Sequence, residues 1–333
     1  MTMGDSLSNG LNSDYILDSV TNDPSADSSC PKSPPQFEIR GASFATGGDN
    51  GIFSVGSAFK KFNNDIVGLS HGNTPLSLCY GPVCPAGTIL LPFNSSAYGL
   101  NAAQSGAWVN RWDIDNQLKY YDEFYSSFVP ETADPWKLMI MTFGANNQCL
   151  ACIDWLNKHF FTADTYEEVM RTTIEKLRKK FDKMVVILEA PFSLSKLVAI
   201  EKTSHVCETI RNMTSNREGC RCIYDEKALP QIDALAAEYT ERLKLIAADY
   251  RSANYSTFAV VYDPGMYDTD LSKASAEEII GGLDCFHGNV LAHQRLAVSL
   301  WNNLFKSQDD KTPFVLHKPQ GVFCPTESSR IWV

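Results

Sequence analysis

Apolar residues fall into two rhythms along this chain. In the first they recur at helical spacing. Ile114, Leu118, Tyr121 and Tyr125 share one face of a segment over 113–128. Tyr166, Val169, Thr173 and Leu177 do the same in a helix opened by Thr165, with Glu168 completing a capping box. Ile232, Leu235, Tyr239, Leu243, Ile246 and Tyr250 make the strongest stripe, over 228–251, and its plain reading is a face against the core. Leu296, Leu300, Trp301 and Leu304 mark a last helix over 291–305. The second rhythm is a short unbroken apolar run, as in 138–143, 184–188 and 257–262, which predicts strands buried on both faces. Strands alternating with helices imply an α/β fold with a mostly parallel sheet covered on both sides. No internal repeat or linker divides the chain, so the expectation is a domain over 1–306 with a polar tail over 307–333 packed on it, tied back by Cys324.

Elsewhere the pattern breaks down. Residues 8–36 are polar, and Pro31, Pro34 and Pro35 exclude regular structure, which predicts a long loop pinned by Cys30. Residues 39–51 are rich in glycine. A phosphate loop would need a Lys-Ser/Thr and a strand-to-helix context, so a surface turn is the expectation.

Composition narrows the function class. The chain has 333 residues with 44% apolar and 20% charged positions, enough to bury a large core, and no apolar run approaches the length of a membrane span. A net charge of −10 without a basic cluster argues against nucleic acid as partner. Ten cysteines and sequons at Asn94, Asn212 and Asn254 point to an oxidising, secreted or lumenal setting. Cys79 and Cys84 flank a tight loop that one disulfide could close; Cys149, Cys152, Cys220 and Cys222 lack zinc spacing and read as disulfide partners. Met1-Thr2-Met3 leads straight to Gly4 with no leader pattern, so either the protein is not secreted or a leader is missing, and a missing leader is the expectation.

The chemistry gathers in four places. Ser6, in Gly4-Asp5-Ser6-Leu7, is the candidate nucleophile, although Gly-Asp-Ser alone is ordinary turn chemistry. Asp284 and His287 are three residues apart, so the carboxylate can reach Nδ1 and leave Nε2 for Ser6. Gly106 offers a bare backbone N–H and Asn146 a side-chain N–H; with the Ser6 N–H they make three donors for an oxyanion. His293 could be a second functional histidine, but a helix-start histidine with a local hydrogen bond is the expectation. No Gly-x-Ser-x-Gly elbow is present.

These blocks resemble the SGNH (GDSL) hydrolases, whose Ser, Gly, Asn and His match Ser6, Gly106, Asn146 and His287, with Asp284 completing a triad. Ile39-Arg40-Gly41, Gly47-Gly48-Asp49, Leu100-Asn101-Ala102-Ala103, Trp136-Lys137-Leu138, Asp284-Cys285-Phe286-His287 and Trp301-Asn302-Asn303 are similar to the phospholipase B-like branch. The resemblance implies a three-layer α/β/α sandwich of SGNH, flavodoxin-like type. It also implies a serine esterase acting on (lyso)phospholipid acyl esters, with no cofactor and no metal. The expected partners are a phospholipid or other acyl-ester substrate and, transiently, a membrane or micelle surface; the chain is expected to be a monomer. The alternatives are an esterase on an acetylated sugar or glyceride, and a catalytically impaired lipid-binding homologue. Two departures stand out. Asn147 stands where the family usually has Asp and implies weaker support for the Asn146 loop. Only three residues precede Gly4 where the family has a buried strand, so most of that first strand is expected to be missing, leaving Ser6 poorly anchored.

Overall fold

The computed structural model of the chain describes residues 1–14, 36–76, 93–207, 220–281 and 284–333. The expectations for Cys30, Cys79, Cys84 and Asn212 lie outside those residues.

Four parallel strands form the central sheet: β1 (Thr2–Gly4), β4 (Lys137–Thr142), β5 (Met184–Glu189) and β6 (Phe258–Asp263), in the order β1-β4-β5-β6. Between β1 and β4 in sequence, β2 (Phe37–Glu38) and β3 (Thr74–Pro75) make a small antiparallel pair. The unbroken apolar runs follow from this placement. In β4, Ile140 faces one apolar layer while Met139 and Met141 face the other; in β5, Ile187 opposes Val186 and Leu188 in the same way. Helices Arg111–Phe128, Ala163–Lys180 and Leu229–Ala253 pack mainly on one face, and helices Val55–Phe62, Leu194–Glu201 and Val290–Leu304 on the other. The result is the three-layer α/β/α sandwich the sequence predicts.

Local signals explain most helix ends. Asn110 caps Arg111–Phe128 by accepting from Trp112 and Asp113, and Asn289 caps Val290–Leu304 by accepting from Ala292. The capping box at Thr165 and Glu168 is not what forms. The cap lies three residues earlier, at Thr162, whose Oγ1 accepts the Thr165 N–H at 3.2 Å, and the helix begins at Ala163. Glu168 instead pairs with Arg111. Residues 39–51 also differ from expectation, since Ile39 through Gly47 are buried rather than on the surface. The cause is Arg40, fully buried in an ion pair with Glu38 at 2.6 Å, with its guanidinium stacked 3.8 Å from the Tyr98 ring centroid.

β1 is short but well held. It pairs with β4 on one side, and on the other the Thr2 N–H donates to Leu100 O and the Ala102 N–H to Thr2 O, both at 2.9 Å. The poor anchoring expected for Ser6 is therefore overturned. The 307–333 tail lies on the body through Phe314 N–H to Gly265 O at 2.9 Å and Trp301 Nε1 to Phe323 O at 2.8 Å. Cys324 takes no part in this: it is exposed and free, so hydrogen bonds and the Phe305–Phe323 ring contact hold the tail. Among the described residues, no helix is long and apolar enough to cross a membrane.

Candidate active site

β1 ends at Gly4, where the chain turns sharply into the helix Ser6–Asn9. Gly4 is required there, because a Cβ would stand 2.7 Å from Thr142 O on the neighbouring strand. Gln117 grips Gly4 from both sides: its Oε1 accepts the Gly4 N–H at 2.9 Å and its Nε2 donates to Gly4 O at 2.7 Å. Asp5 caps the short helix through Leu7 N–H at 2.9 Å. Burial pushes the Asp5 carboxyl up to about 7, against the pull of that N–H and of His287. Ser6 is thus the first helical residue, its N–H has no intrahelical acceptor, and its side chain is buried but not sealed.

The opposite wall is the loop from Asp284 to His287. Asp284 Oδ1 accepts the backbone N–H of Phe286 at 2.9 Å and of His287 at 3.0 Å, which folds the loop tightly around the carboxylate. Cys285 sits in left-handed backbone, φ 52°, and is cross-linked to Cys207. Asp284 Oδ2 lies 2.6 Å from His287 Nδ1. Burial works against the Asp284 charge, but the imidazole and the two N–H donors outweigh it and hold the carboxyl down to about 2. A carboxylate at Nδ1 places the proton there and leaves Nε2 bare to accept from Ser6 Oγ, 2.7 Å away. Three sequence-predicted residues, 281 positions apart at the extremes, therefore stand in one hydrogen-bonded line.

Gly106 and Asn146 lie on the two loops beside this line. Gly106 has φ 78° and is exposed, and its loop is fastened on both sides of Ser6: Gln104 N–H donates to Gly4 O at 3.1 Å, and Asn9 Nδ2 donates to Ser105 Oγ at 2.9 Å. Asn146 Nδ2 donates to Ala107 O at 3.1 Å, so the amide rests against the Gly106 loop. Asn147 is fully buried and its Oδ1 accepts the Val109 N–H at 3.0 Å, a bond a carboxylate would also make.

Three groups here escape a reading of the sequence. Glu38 Oε1 accepts from Asn9 Nδ2 at 2.9 Å and Ser105 Oγ at 2.8 Å, bridging the Ser6 helix and the Gly106 loop. Arg40 neutralises Glu38 and donates to Asn101 O at 3.0 Å and Ala103 O at 2.8 Å. The third is Asn12, whose Nδ2 donates to Asp284 Oδ2 at 2.8 Å. The Ile39-Arg40-Gly41 block is the one sequence signal for any of them. His293 stands in the first turn of its helix, as expected, but its Nδ1 makes no local hydrogen bond: the ring is buried beside Phe44, and burial followed by the nearby His287 depresses it to about 4.

Disulfides join Cys149 to Cys220, Cys152 to Cys222 and Cys207 to Cys285. The first two brace the segment that follows Asn146. Asn94 and Asn254, the two described sequon residues, are both exposed.

Comparison with known proteins finds the family model GDSL-like Lipase/Acylhydrolase over residues 1–300. The chain is similar to "Phospholipase B1, membrane-associated" of Rattus norvegicus, 24% identical over 318 residues, covering 88% of this chain and 19% of the relative. The Mus musculus and Homo sapiens proteins of the same name are 21% and 22% identical over 309 residues, covering 88% and 87% of this chain. The chain spans about a fifth of the length of these curated relatives, 19% in each.

Proposed function

This chain belongs to the GDSL-like lipase/acylhydrolase family, and from that membership and the geometry around Ser6 we propose that it is a serine esterase for acyl esters of phospholipids and lysophospholipids. The observation that carries the reading is the line Ser6 Oγ–His287 Nε2–Asp284, with contacts of 2.7 and 2.6 Å. A hydroxyl so placed can be deprotonated as it attacks.

Ser6 Oγ bonds to the ester carbonyl carbon while its proton passes to His287 Nε2. The carbonyl oxygen becomes an oxyanion, met by the N–H groups of Ser6, Gly106 and Asn146; each such donor is worth about 3 kcal/mol in the transition state. The acyl–oxygen bond then breaks and His287 gives its proton to the leaving alcohol. Water attacks the acyl-enzyme, His287 takes its proton, and Ser6 is restored as the fatty acid leaves. Asp284 stays ionised throughout, stabilising the imidazolium and fixing its tautomer.

Phospholipid esters are favoured over other esters by the likeness to membrane-associated phospholipase B1. On this reading the substrate is taken from a membrane or micelle surface by a secreted or lumenal protein, a setting the three disulfides suit. A fluorophosphonate probe should label Ser6, and Ser6→Ala should abolish labelling. Release of fatty acid from lysophosphatidylcholine then tests the substrate class. Labelling without release would point to a sugar-acetate or glyceride esterase, and no labelling of the wild-type chain would point to a lipid-binding homologue.

A further inference from the structure

We propose that Asn12 is a positioning residue for the Ser6–His287–Asp284 relay: its side-chain amide locks the Asp284 carboxylate in the plane His287 needs. The inference rests on the esterase reading above and extends it to a residue in a segment that sequence patterns leave as irregular loop.

Three observations converge on Asn12. Its Nδ2 donates at 2.8 Å to Asp284 Oδ2, the same oxygen that faces His287 Nδ1 at 2.6 Å, across 272 residues of sequence. The other end of the amide is pinned, since its Oδ1 accepts the Phe37 N–H at 3.3 Å while the Asn12 backbone N–H donates to Phe37 O at 2.8 Å. A carbonyl facing an N–H and an NH₂ facing a carboxylate leave one orientation of the amide. Finally, Asn12 is fully buried in left-handed backbone at φ 56°, a conformation that Asn and Gly tolerate and bulkier residues do not. Its neighbour Ser13 is fastened to the same wall, where Ser13 O accepts the Val290 N–H at 2.7 Å, three residues beyond His287.

The backbone N–H groups of Phe286 and His287 hold one oxygen of Asp284. Asn12 holds the other, so the carboxylate cannot rotate without breaking a bond on each side. The Asn12 donor also draws charge from the oxygen that His287 meets. Without it that oxygen is more basic and holds the imidazolium more strongly. The other titratable groups bearing on His287 are Asp5 at the head of the Ser6 helix and His293 on the helix Val290–Leu304.

The test compares full-length wild type, Asn12→Asp and Asn12→Gly by rate of fluorophosphonate labelling from pH 5 to 9 and by thermal melting. Both substitutions suit the left-handed backbone, and each removes the donor. Asn12→Asp, which adds a second carboxylate, should label about a hundredfold more slowly at neutral pH and carry the acid limb of the profile up by about one unit. Asn12→Gly should label about tenfold more slowly with a smaller upward shift, at a melting temperature near that of wild type. Variants that label like wild type at every pH would overturn the assignment, as would slower labelling that tracks loss of folded protein with the acid limb unmoved. A wild-type chain that takes no label at Ser6 sinks the esterase reading itself, which separates that failure from this one.

Discussion

Ser6 and His287 meet from opposite ends of the chain, and they are held by different means. Ser6 hangs from a three-residue strand through long-range hydrogen bonds: β4 on one edge, Leu100 to Gln104 on the other, and Gln117 across Gly4. His287 sits on a loop that organises itself, with Asp284 collecting N–H groups two and three residues on and a disulfide at Cys285. The carboxyls beside them differ in the same sense. Asp5 is buried with one oxygen unpartnered and is pushed up to about 7, whereas Asp284 is surrounded by donors and held down to about 2. In the proposed reaction the nucleophile needs a fixed position relative to the sheet, which pairing supplies, and the base needs its charge and tautomer set, which a tight loop around a carboxylate supplies.

Four perturbations would sharpen or break this contrast. The largest effect is expected from Asp284→Asn. The loop N–H groups keep an acceptor, but an amide replaces the oxygen at His287 Nδ1, so kcat should fall by about 10⁴ with the fold retained. A turnover assay beside a melting curve checks it, and parallel loss of both would mean that Asp284 is chiefly structural. Next is the double substitution Cys207→Ser with Cys285→Ser. It should cost about 2–5 kcal/mol of stability, and hydrogen exchange should rise in 284–287 before it rises in β1. Gln117→Ala comes third. It strands the buried Gly4 N–H, costing about 1–3 kcal/mol, while Gly4 O keeps the Gln104 N–H, and it should slow labelling of Ser6 while leaving exchange in the His287 loop unchanged.

The smallest effect concerns Asp5. Its carboxyl titrates near 3.8 when exposed and near 7 in the fold, so the folded chain binds the extra proton between those values. Stability from this group is therefore fully present below about pH 4 and is lost as pH rises to about 7. Asp5→Asn keeps a cap for Leu7 and removes the ionisation. It should melt like wild type at pH 4 and above wild type at pH 8. An unchanged difference across that range would show that the carboxyl is not so burdened.

The sheet is legible in the sequence because both faces of β4, β5 and β6 are covered, which leaves unbroken apolar runs. What those runs cannot announce is a buried carboxyl at a strand's last position. Glu189 and Asp263 end β5 and β6 with no exposed surface, and burial lifts both above the usual carboxylate range. Ser6, Asp284 and His287 are legible because their residue types and the three-residue spacing of the pair state a chemistry. Asn12, Glu38 and Arg40 are not, because their partners lie far off in sequence and nothing local separates Asn12 from the asparagines around it. Thr162 and Thr165 teach the same lesson at short range. Either could cap a helix, and the backbone chose the one that does not complete the Thr-x-x-Glu pattern.

The contact between residue 6 and residue 287 also bears on how the molecule comes into being. Synthesis runs from the amino end, so the hydroxyl emerges first and the imidazole only after more than four-fifths of the chain. Until then Ser6 Oγ has no imidazole beside it, and on the proposed reading a fragment cut short before Asp284 would lack the base its hydroxyl requires.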